Sequence, residues 1–154
     1  MVSIIVPCPR IDQYTMECIK HCKRLDYRNY EIILLPDAES EGVEGVKIVP
    51  TGPVAPGAKR NVGVANSNGE ICAFIDSDAY PRRDWLKNTI KYFGDPQVGA
   101  VGGPGLTPKG DSIMQRASGH VLSSFMVGNL SSRYKAERSS ESDDIHSCNF
   151  IARK

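Results

Sequence analysis

The sequence lacks the features that mark several common classes of protein. The net charge is only +1 and no basic stripe with interleaved aromatics occurs, so nothing favours a nucleic-acid partner. No apolar run approaches the roughly 20 residues that cross a bilayer. The first ten residues hold too short an apolar stretch for a signal peptide and are typical of a first strand. We therefore expect a cytoplasmic chain, with any association with the cytoplasmic face of a membrane made through parts outside it.

Cysteines are few and scattered. An odd number of them argues against a disulfide framework and for reduced thiols. Cys18, His21 and Cys22 would share one helix face, but a zinc site usually needs a fourth ligand from elsewhere. Packing of the two cysteines with Ile19 and Leu25 is the favoured interpretation. The five cysteines are Cys8, Cys18, Cys22, Cys72 and Cys148.

Two glycine-rich phosphate loops are also missing. A dinucleotide-binding domain has G-x-G-x-x-G after its first strand, where this chain has "PCPRID". The P-loop string G-x-x-x-x-G-K-S/T does not occur. A diphosphate would therefore have to be held by a metal ion and side chains.

What is present is an alternation of strand and helix patterns in a length that suits one domain. Asp12 is predicted to cap a helix from about Gln13 to Leu25. A second helix of about ten residues is predicted within 56–69, and Pro81 is predicted to start a third. This alternation predicts an α/β fold with a mostly parallel central sheet covered by helices on both faces. Strands are predicted at 2–7, 30–35, 46–50, 71–75 and 97–103.

The last third of the sequence is less regular. Residues 112–128 carry a helical apolar stripe interrupted by Gly119, and 129–144 are polar, without periodicity, and typical of a mobile loop. Residues 145–154 resume a strand-like alternation.

Two aspartates, Asp76 and Asp78, directly follow the fourth strand with Ser77 between them. Like charges so close repel each other, so either water solvates them in a turn or a cation lies between them. In a parallel α/β sheet, ligands bind beyond the carboxyl ends of the strands. We predict that the same edge holds Asp37, the pair Lys59–Arg60 and the turn from Pro7 to Arg10.

Each of these residues has an ordinary structural explanation. A lone aspartate such as Asp37 is usually a turn former or helix cap, and Lys59 and Arg60 alone would more often form a solvated helix face. Their predicted co-location favours instead a diphosphate bound through Mg²⁺ or Mn²⁺, with acids holding the metal and bases neutralising the phosphate.

Five motifs in order resemble the nucleotide-sugar-binding, N-terminal part of family 2 glycosyltransferases, which have the Rossmann-like GT-A fold. The motifs are "VSIIVPCPR", "YRNYEIILLPDAES", "GAKRNVGVANSNGEICAFIDSDAYPRRDWL", "VGAVGGPGLTP" and "NFIARK". The third, with its D-x-D, is specific, and the others gain weight from their order. The resemblance covers nearly all of 1–154, with about 1–110 as the nucleotide-binding core and 111–154 as the start of the acceptor-side region, which we expect to be truncated.

The resemblance implies a role for each matching residue. Asp37 would bind the nucleoside at or near the uracil ring, Arg60 would lie over the base or near the diphosphate, and Asp76 would face the ribose. Asp78, with Asp76, would ligate Mn²⁺ or Mg²⁺. The expected nucleotide-binding set is Pro7, Pro9, Asp37, Lys59, Arg60, Asp76 and Ser77. Pro9 stands where family members often place a base-stacking aromatic, and only Asp37 remains of the usual acidic pair after strand two.

The resemblance implies an inverting, metal-dependent transferase. It would move a sugar from a UDP- or GDP-linked donor to a glycan or lipid-linked acceptor, as in cell-wall or polysaccharide biosynthesis. The family's catalytic base lies downstream of the "NFIARK" stretch, so we expect it beyond Lys154. The alternative is a catalytically incomplete nucleotide-sugar-binding module. An exposed sheet edge would allow a homo-oligomer.

Overall fold

The computed structural model describes residues 1–108, 110–124, 134, 141 and 145–154. Its strands are β1 (Val2–Pro7), β2 (Tyr30–Leu35), β3 (Lys47–Ile48), β4 (Ile71–Phe74), β5 (Ala100–Gly102) and β6 (Phe150–Arg153). Its α-helices are α1 (Gln13–Cys22), α2 (Pro56–Ala65), α3 (Trp85–Ile90) and α4 (Ile113–Leu122), with 3₁₀ helices at Lys91–Gly94 and Ser147–Asn149.

The six strands form one sheet in the order β3-β2-β1-β4-β6-β5. β1 pairs in parallel with β2 on one side and β4 on the other, and β2 pairs in parallel with β3. β6 is antiparallel to both of its neighbours, β4 and β5. The mostly parallel sheet predicted from the sequence is therefore confirmed, with β6 as the one reversed strand among the six.

Helices cover both faces of the sheet, as predicted. Alternate residues of each strand point to opposite faces, and the apolar runs of β1 and β2 are buried on both. One face packs against α1 and α3 through residues such as Ile19 and Leu86. The other packs against α2, where Gly63 lies so close to the sheet that a Cβ there would be 2.5 Å from Ile5 Cγ2.

The first helix begins where its capping residue predicts. The Asp12 carboxylate accepts hydrogen bonds from the backbone N–H groups of Tyr14 and Thr15, each at 3.0 Å. The helix ends at Cys22 rather than at Leu25. Cys18 and Cys22 are buried in the same apolar cluster as Leu25, which confirms packing as their role.

The prediction that Pro81 starts a helix is wrong. α3 begins at Trp85, because the carbonyl of Arg83 accepts a hydrogen bond from Asp26 N at 2.8 Å instead of one from the helix itself. In this region Leu86 and Phe93 are buried and Trp85 is half-buried. The third and fifth strands are shorter than predicted, at two and three residues.

Much of the last third lies outside the described residues. This holds for most of the predicted loop 129–144 and for positions 125–128 of the predicted stripe. The described part of the stripe forms α4, whose residues Ile113, Met114 and Val121 are exposed. In the described part of the chain, no helix combines the length and hydrophobicity needed to cross a membrane. The predicted self-association remains a prediction.

Candidate functional site

One cavity of about 1090 Å³ opens at the carboxyl edge of the sheet. It lies beyond the ends of β1, β2 and β4 and beside the first turn of α2, where the fold places ligands. The structure brings all eight predicted site residues to its wall: Pro7, Pro9, Asp37, Lys59, Arg60, Asp76, Ser77 and Asp78. Their individual roles remain predictions.

Lys59, on α2, is buried against the strand ends, with 4% of its surface exposed. Its ammonium group lies within hydrogen-bond distance of four oxygen atoms, which share its three N–H donors: Cys8 O and Leu35 O at 3.0 Å, Thr51 Oγ1 at 2.9 Å and Asp37 Oδ1 at 2.5 Å. Lys59 is therefore not part of a solvated helix face, and its ammonium group is not free to neutralise a phosphate. It links the ends of β1 and β2 to the loop before α2.

Arg60, the next residue, points to the other side of β1. Its Nη2 donates to Asp76 Oδ1 at 2.7 Å, and the arginine side chain is 19% exposed. The buried Nε of Arg60 has no hydrogen-bond partner among the described residues. A buried donor without a partner costs about 1–3 kcal/mol, so this atom fits a site that a ligand or water completes.

Asp78 is the carboxylate at this edge that remains available. It forms no hydrogen bond or ion pair with another described residue, whereas Asp76 is engaged by Arg60. No group of three or more metal-ligating side chains occurs within the described ranges. Mg²⁺ typically needs only one or two carboxylates together with substrate phosphates and water, so Asp78 with Asp76 fits such an ion.

Sequence reasoning missed several residues of the wall. Tyr14, whose side chain is largely exposed, is the one aromatic among the lining residues that the structure describes. Gln115 belongs to a capping box with Ser112 at the start of α4, a spacing that the sequence shows. Ser147 follows a non-periodic stretch, and no motif or spacing in the sequence marks it as a residue of the site. The remaining lining residues are Cys8, Asp12, Pro53, Val54 and Pro56.

The cysteines near the site are not poised as nucleophiles. Burial raises the pKa of Cys8 to about 11, although the nearby Lys59 charge opposes the shift. Burial also raises the pKa of Cys148, and the carboxylates Asp76 and Asp78 add to the effect. Both thiols are therefore protonated near neutral pH, and the thiolate is the nucleophilic form.

Comparison with known proteins identifies the family. The sequence model for glycosyl transferase family 2 matches residues 3–154. The chain belongs to this family. The expectation drawn from the five motifs is thus confirmed, and the mostly parallel six-stranded sheet is similar in fold to solved GT-A glycosyltransferases.

The family 2 chain is similar to curated and solved glycosyltransferases over part of their length. A Methanococcus voltae protein named dolichyl N-acetyl-alpha-D-glucosaminyl phosphate 3-beta-D-2,3-diacetamido-2,3-dideoxy-beta-D-glucuronosyltransferase is 26% identical over 122 residues, which cover 66% of this chain and 38% of that protein. The mannosyltransferase PcManGT of Pyrobaculum calidifontis, solved with GDP-Man and Mn²⁺, gives a TM-score of 0.59 at 25% identity. That match covers 71% of this chain and 36% of the other.

A third comparison supports the fold alone. S. aureus TarS in complex with UDP-GlcNAc is 19% identical, with a TM-score of 0.59 over 73% of this chain and 36% of that one. The chain therefore spans well under half the length of the relatives it matches.

Proposed function

We propose that this chain is the donor-binding part of an inverting glycosyltransferase. The enzyme moves a sugar from a nucleoside diphosphate sugar to a glycan or lipid-linked acceptor and depends on a divalent cation. This proposal draws on family membership and on the residues that line the cavity. The solved relative PcManGT carries GDP-Man and Mn²⁺, which supports a nucleotide sugar and a metal as ligands of this class of site.

The observation that carries the proposal is the division of the cavity wall into two charged ends. Asp37 follows β2 and Asp76 follows β4, and β1 lies between these strands. Because neighbouring strands are about 4.8 Å apart, the two ends lie roughly 10 Å apart across the sheet edge. An extended nucleoside diphosphate suits that span, with its base at Asp37 and its diphosphate at the Arg60 and Asp78 end.

The residues at the second end suit an anionic, metal-bound group. Arg60 supplies a fixed guanidinium, held by Asp76, with a donor that lacks a described partner. Asp78 supplies a carboxylate without a described partner as the principal metal ligand. A divalent ion bound there supplies positive charge that stabilises the leaving nucleoside diphosphate. We assign donor binding to these residues and assign no catalytic base among them.

Metal-dependent nucleotide binding tests the proposal. We expect Mn²⁺ to strengthen the binding of UDP or GDP by at least about tenfold, because the ion joins the diphosphate to a carboxylate. Asp78→Asn should remove most of this enhancement. Asp26→Asn is the matched control, since it removes one carboxylate from an exposed ion pair with Arg83. The measurement is isothermal titration of each protein with and without Mn²⁺.

Two results would contradict the proposal. One is that no nucleoside diphosphate binds to the wild-type chain under either condition. The other is that Asp78→Asn and Asp26→Asn show the same enhancement as the wild type, which would place the metal elsewhere.

A further inference from the structure

The loop that carries Asp78 begins with a tight turn directly after β4. Ala79 N donates to Asp76 O at 3.0 Å, which closes a β-turn with Ser77 and Asp78 at its two central positions. The Asp78 side chain has no hydrogen-bond or ion-pair partner among the described residues. Its carboxylate is therefore placed by the backbone of the turn, and whatever holds the turn also places the carboxylate.

Helix α1 contacts this loop on both sides of Asp78. Two residues before it, Asp76 O lies 3.8 Å from the Cys18 sulfur, within reach of a weak S–H donor. Two residues after it, the Tyr80 ring is stacked on the His21 ring, with 4.5 Å between the ring centroids and 24° between the ring planes. Cys18 and His21 are three residues apart in α1, so neighbouring positions on one side of the helix make both contacts.

The stacked rings are the direct link between side chains of α1 and the loop. Cys18 is buried in the apolar cluster, and its thiol is a poor donor, so it acts mainly by packing. The His21 ring is itself oriented by the Glu17 carboxylate, whose Oε1 lies 3.2 Å from His21 Nε2. A stacked aromatic pair contributes beyond the area that its rings bury. The stack is thus an oriented contact that fixes the chain just after Asp78.

A second link between the same two segments lies further from Asp78. Arg83 Nη2 donates to Asp26 Oδ1 at 2.9 Å, but both side chains are largely exposed. Exposed ion pairs contribute little, and the bond from Asp26 N to Arg83 O does not depend on the aspartate side chain. Changing this side chain should therefore leave the turn in place, which makes Asp26→Asn a matched control.

We propose that His21 and Tyr80 are positioning residues, whose stacked rings hold the turn so that Asp78 meets the metal ion. The inference rests on the proposed function and adds to it the means by which α1 places the metal ligand. Neither residue is among the described residues that line the cavity, so the two rings act through Asp78. A ligand that must first be ordered costs binding free energy, and a ligand held in place avoids that cost.

Removal of either ring should weaken metal binding and leave the nucleotide site otherwise intact. His21→Ala and Tyr80→Ala should each raise the Mn²⁺ concentration that gives half of the enhancement of UDP binding by about threefold to tenfold, the range that an aromatic pair supplies. The affinity for UDP without Mn²⁺ should stay within about twofold of the wild type, because the cavity wall is unchanged. His21→Phe and Tyr80→Phe keep a ring that can stack, so their Mn²⁺ requirement should stay within about twofold of the wild type.

The experiment is isothermal titration of the full chain with UDP at a series of Mn²⁺ concentrations, with GDP in its place if the wild type binds GDP more tightly. Asp26→Asn should need the same Mn²⁺ concentration as the wild type. The double variant His21→Ala with Tyr80→Ala should lose no more than either single variant, because both changes remove the same contact. Circular dichroism establishes that each variant is folded at the titration temperature. If His21→Ala does not fold, Tyr80→Ala decides, because that side chain is nearly half exposed.

Three outcomes overturn the inference. Equal Mn²⁺ requirements in the wild type and the alanine variants would show that the stack does not place Asp78, while the metal site and the proposed function stand. Equal losses in the alanine and phenylalanine variants, or losses that add in the double variant, would show that the two rings do not act as a stacked pair. Absence of any enhancement by Mn²⁺ in the wild type refutes the proposed function and the inference together.

Discussion

Lys59→Met should destabilise the protein far more than the loss of one lysine usually does. Methionine keeps the length of the apolar stem but removes the ammonium, whose three N–H donors are shared among four oxygen atoms. Leu35 O keeps a hydrogen bond from Cys8 N at 3.2 Å, and the Thr51 hydroxyl keeps a contact with Pro36 O. Among the described residues, Cys8 O and Asp37 Oδ1 therefore lose their partners.

The cost follows from these two acceptors. Each buried polar group without a partner costs about 1–3 kcal/mol. Asp37 is a third exposed, so water compensates part of its loss. We therefore expect a decrease of about 2–4 kcal/mol in the free energy of unfolding, which is a large part of the typical total of about 5–15 kcal/mol.

Urea denaturation followed by the fluorescence of the single tryptophan, Trp85, measures this decrease. Lys47→Met is the matched control, because that lysine is on the exposed side of β3 and donates only to Asn66 O among the described residues. It should change stability by no more than about 0.5 kcal/mol. Adding Asp37→Asn to Lys59→Met should recover at least about 1 kcal/mol, because a neutral amide does not leave a charge without its partner. Equal losses of stability in Lys59→Met and Lys47→Met would show that the buried contacts of the Lys59 ammonium do not stabilise the fold.

Two further predictions concern the packing and pH dependence of the fold. Gly63→Ala should cost about 1–3 kcal/mol in urea denaturation, because the new Cβ would be 2.5 Å from Ile5 Cγ2 in the core. Gly57→Ala in the same helix meets nothing within 4 Å and should be neutral or stabilising; similar losses for both would contradict the close approach of α2. Burial acts to raise the pKa of Glu31, but hydrogen bonds from Ser3 and Asn68 outweigh it and lower the pKa below its ordinary 4.5. This carboxylate therefore stabilises the fold above pH 4.5 and loses that contribution as the pH falls through the lowered pKa. Glu31→Gln should be less stable than the wild type at pH 7, with the difference closing towards pH 3; a difference that is constant with pH would count against this.

The sequence predicts the parts of the fold that depend on local patterns. The apolar runs 2–7 and 30–35 coincide with β1 and β2, because strands buried on both faces need continuous apolar residues. Asp12 caps α1 as its residue type indicates. The co-location of the eight site residues follows from the rule that parallel strands end at one edge.

The features that the sequence did not predict depend on distant partners. β6 lies between β4 and β5 although it is almost 50 residues from β5 in the chain, and no local pattern encodes such an insertion. The burial of Lys59 depends on four backbone and side-chain oxygens from separate segments, so the sequence predicted a base for the diphosphate and gave no sign of a buried link between strand ends. The start of α3 depends on Asp26, a tertiary partner of Arg83.

A crystal structure of the protein grown with UDP and Mn²⁺ would test where the donor and the metal ion bind. We expect the uracil ring at Asp37, the diphosphate near Arg60, and a Mn²⁺ ion bound by Asp78, all within the cavity at the carboxyl edge of the sheet. A nucleotide bound on another face of the domain, or a metal ion bound away from Asp78, would contradict it.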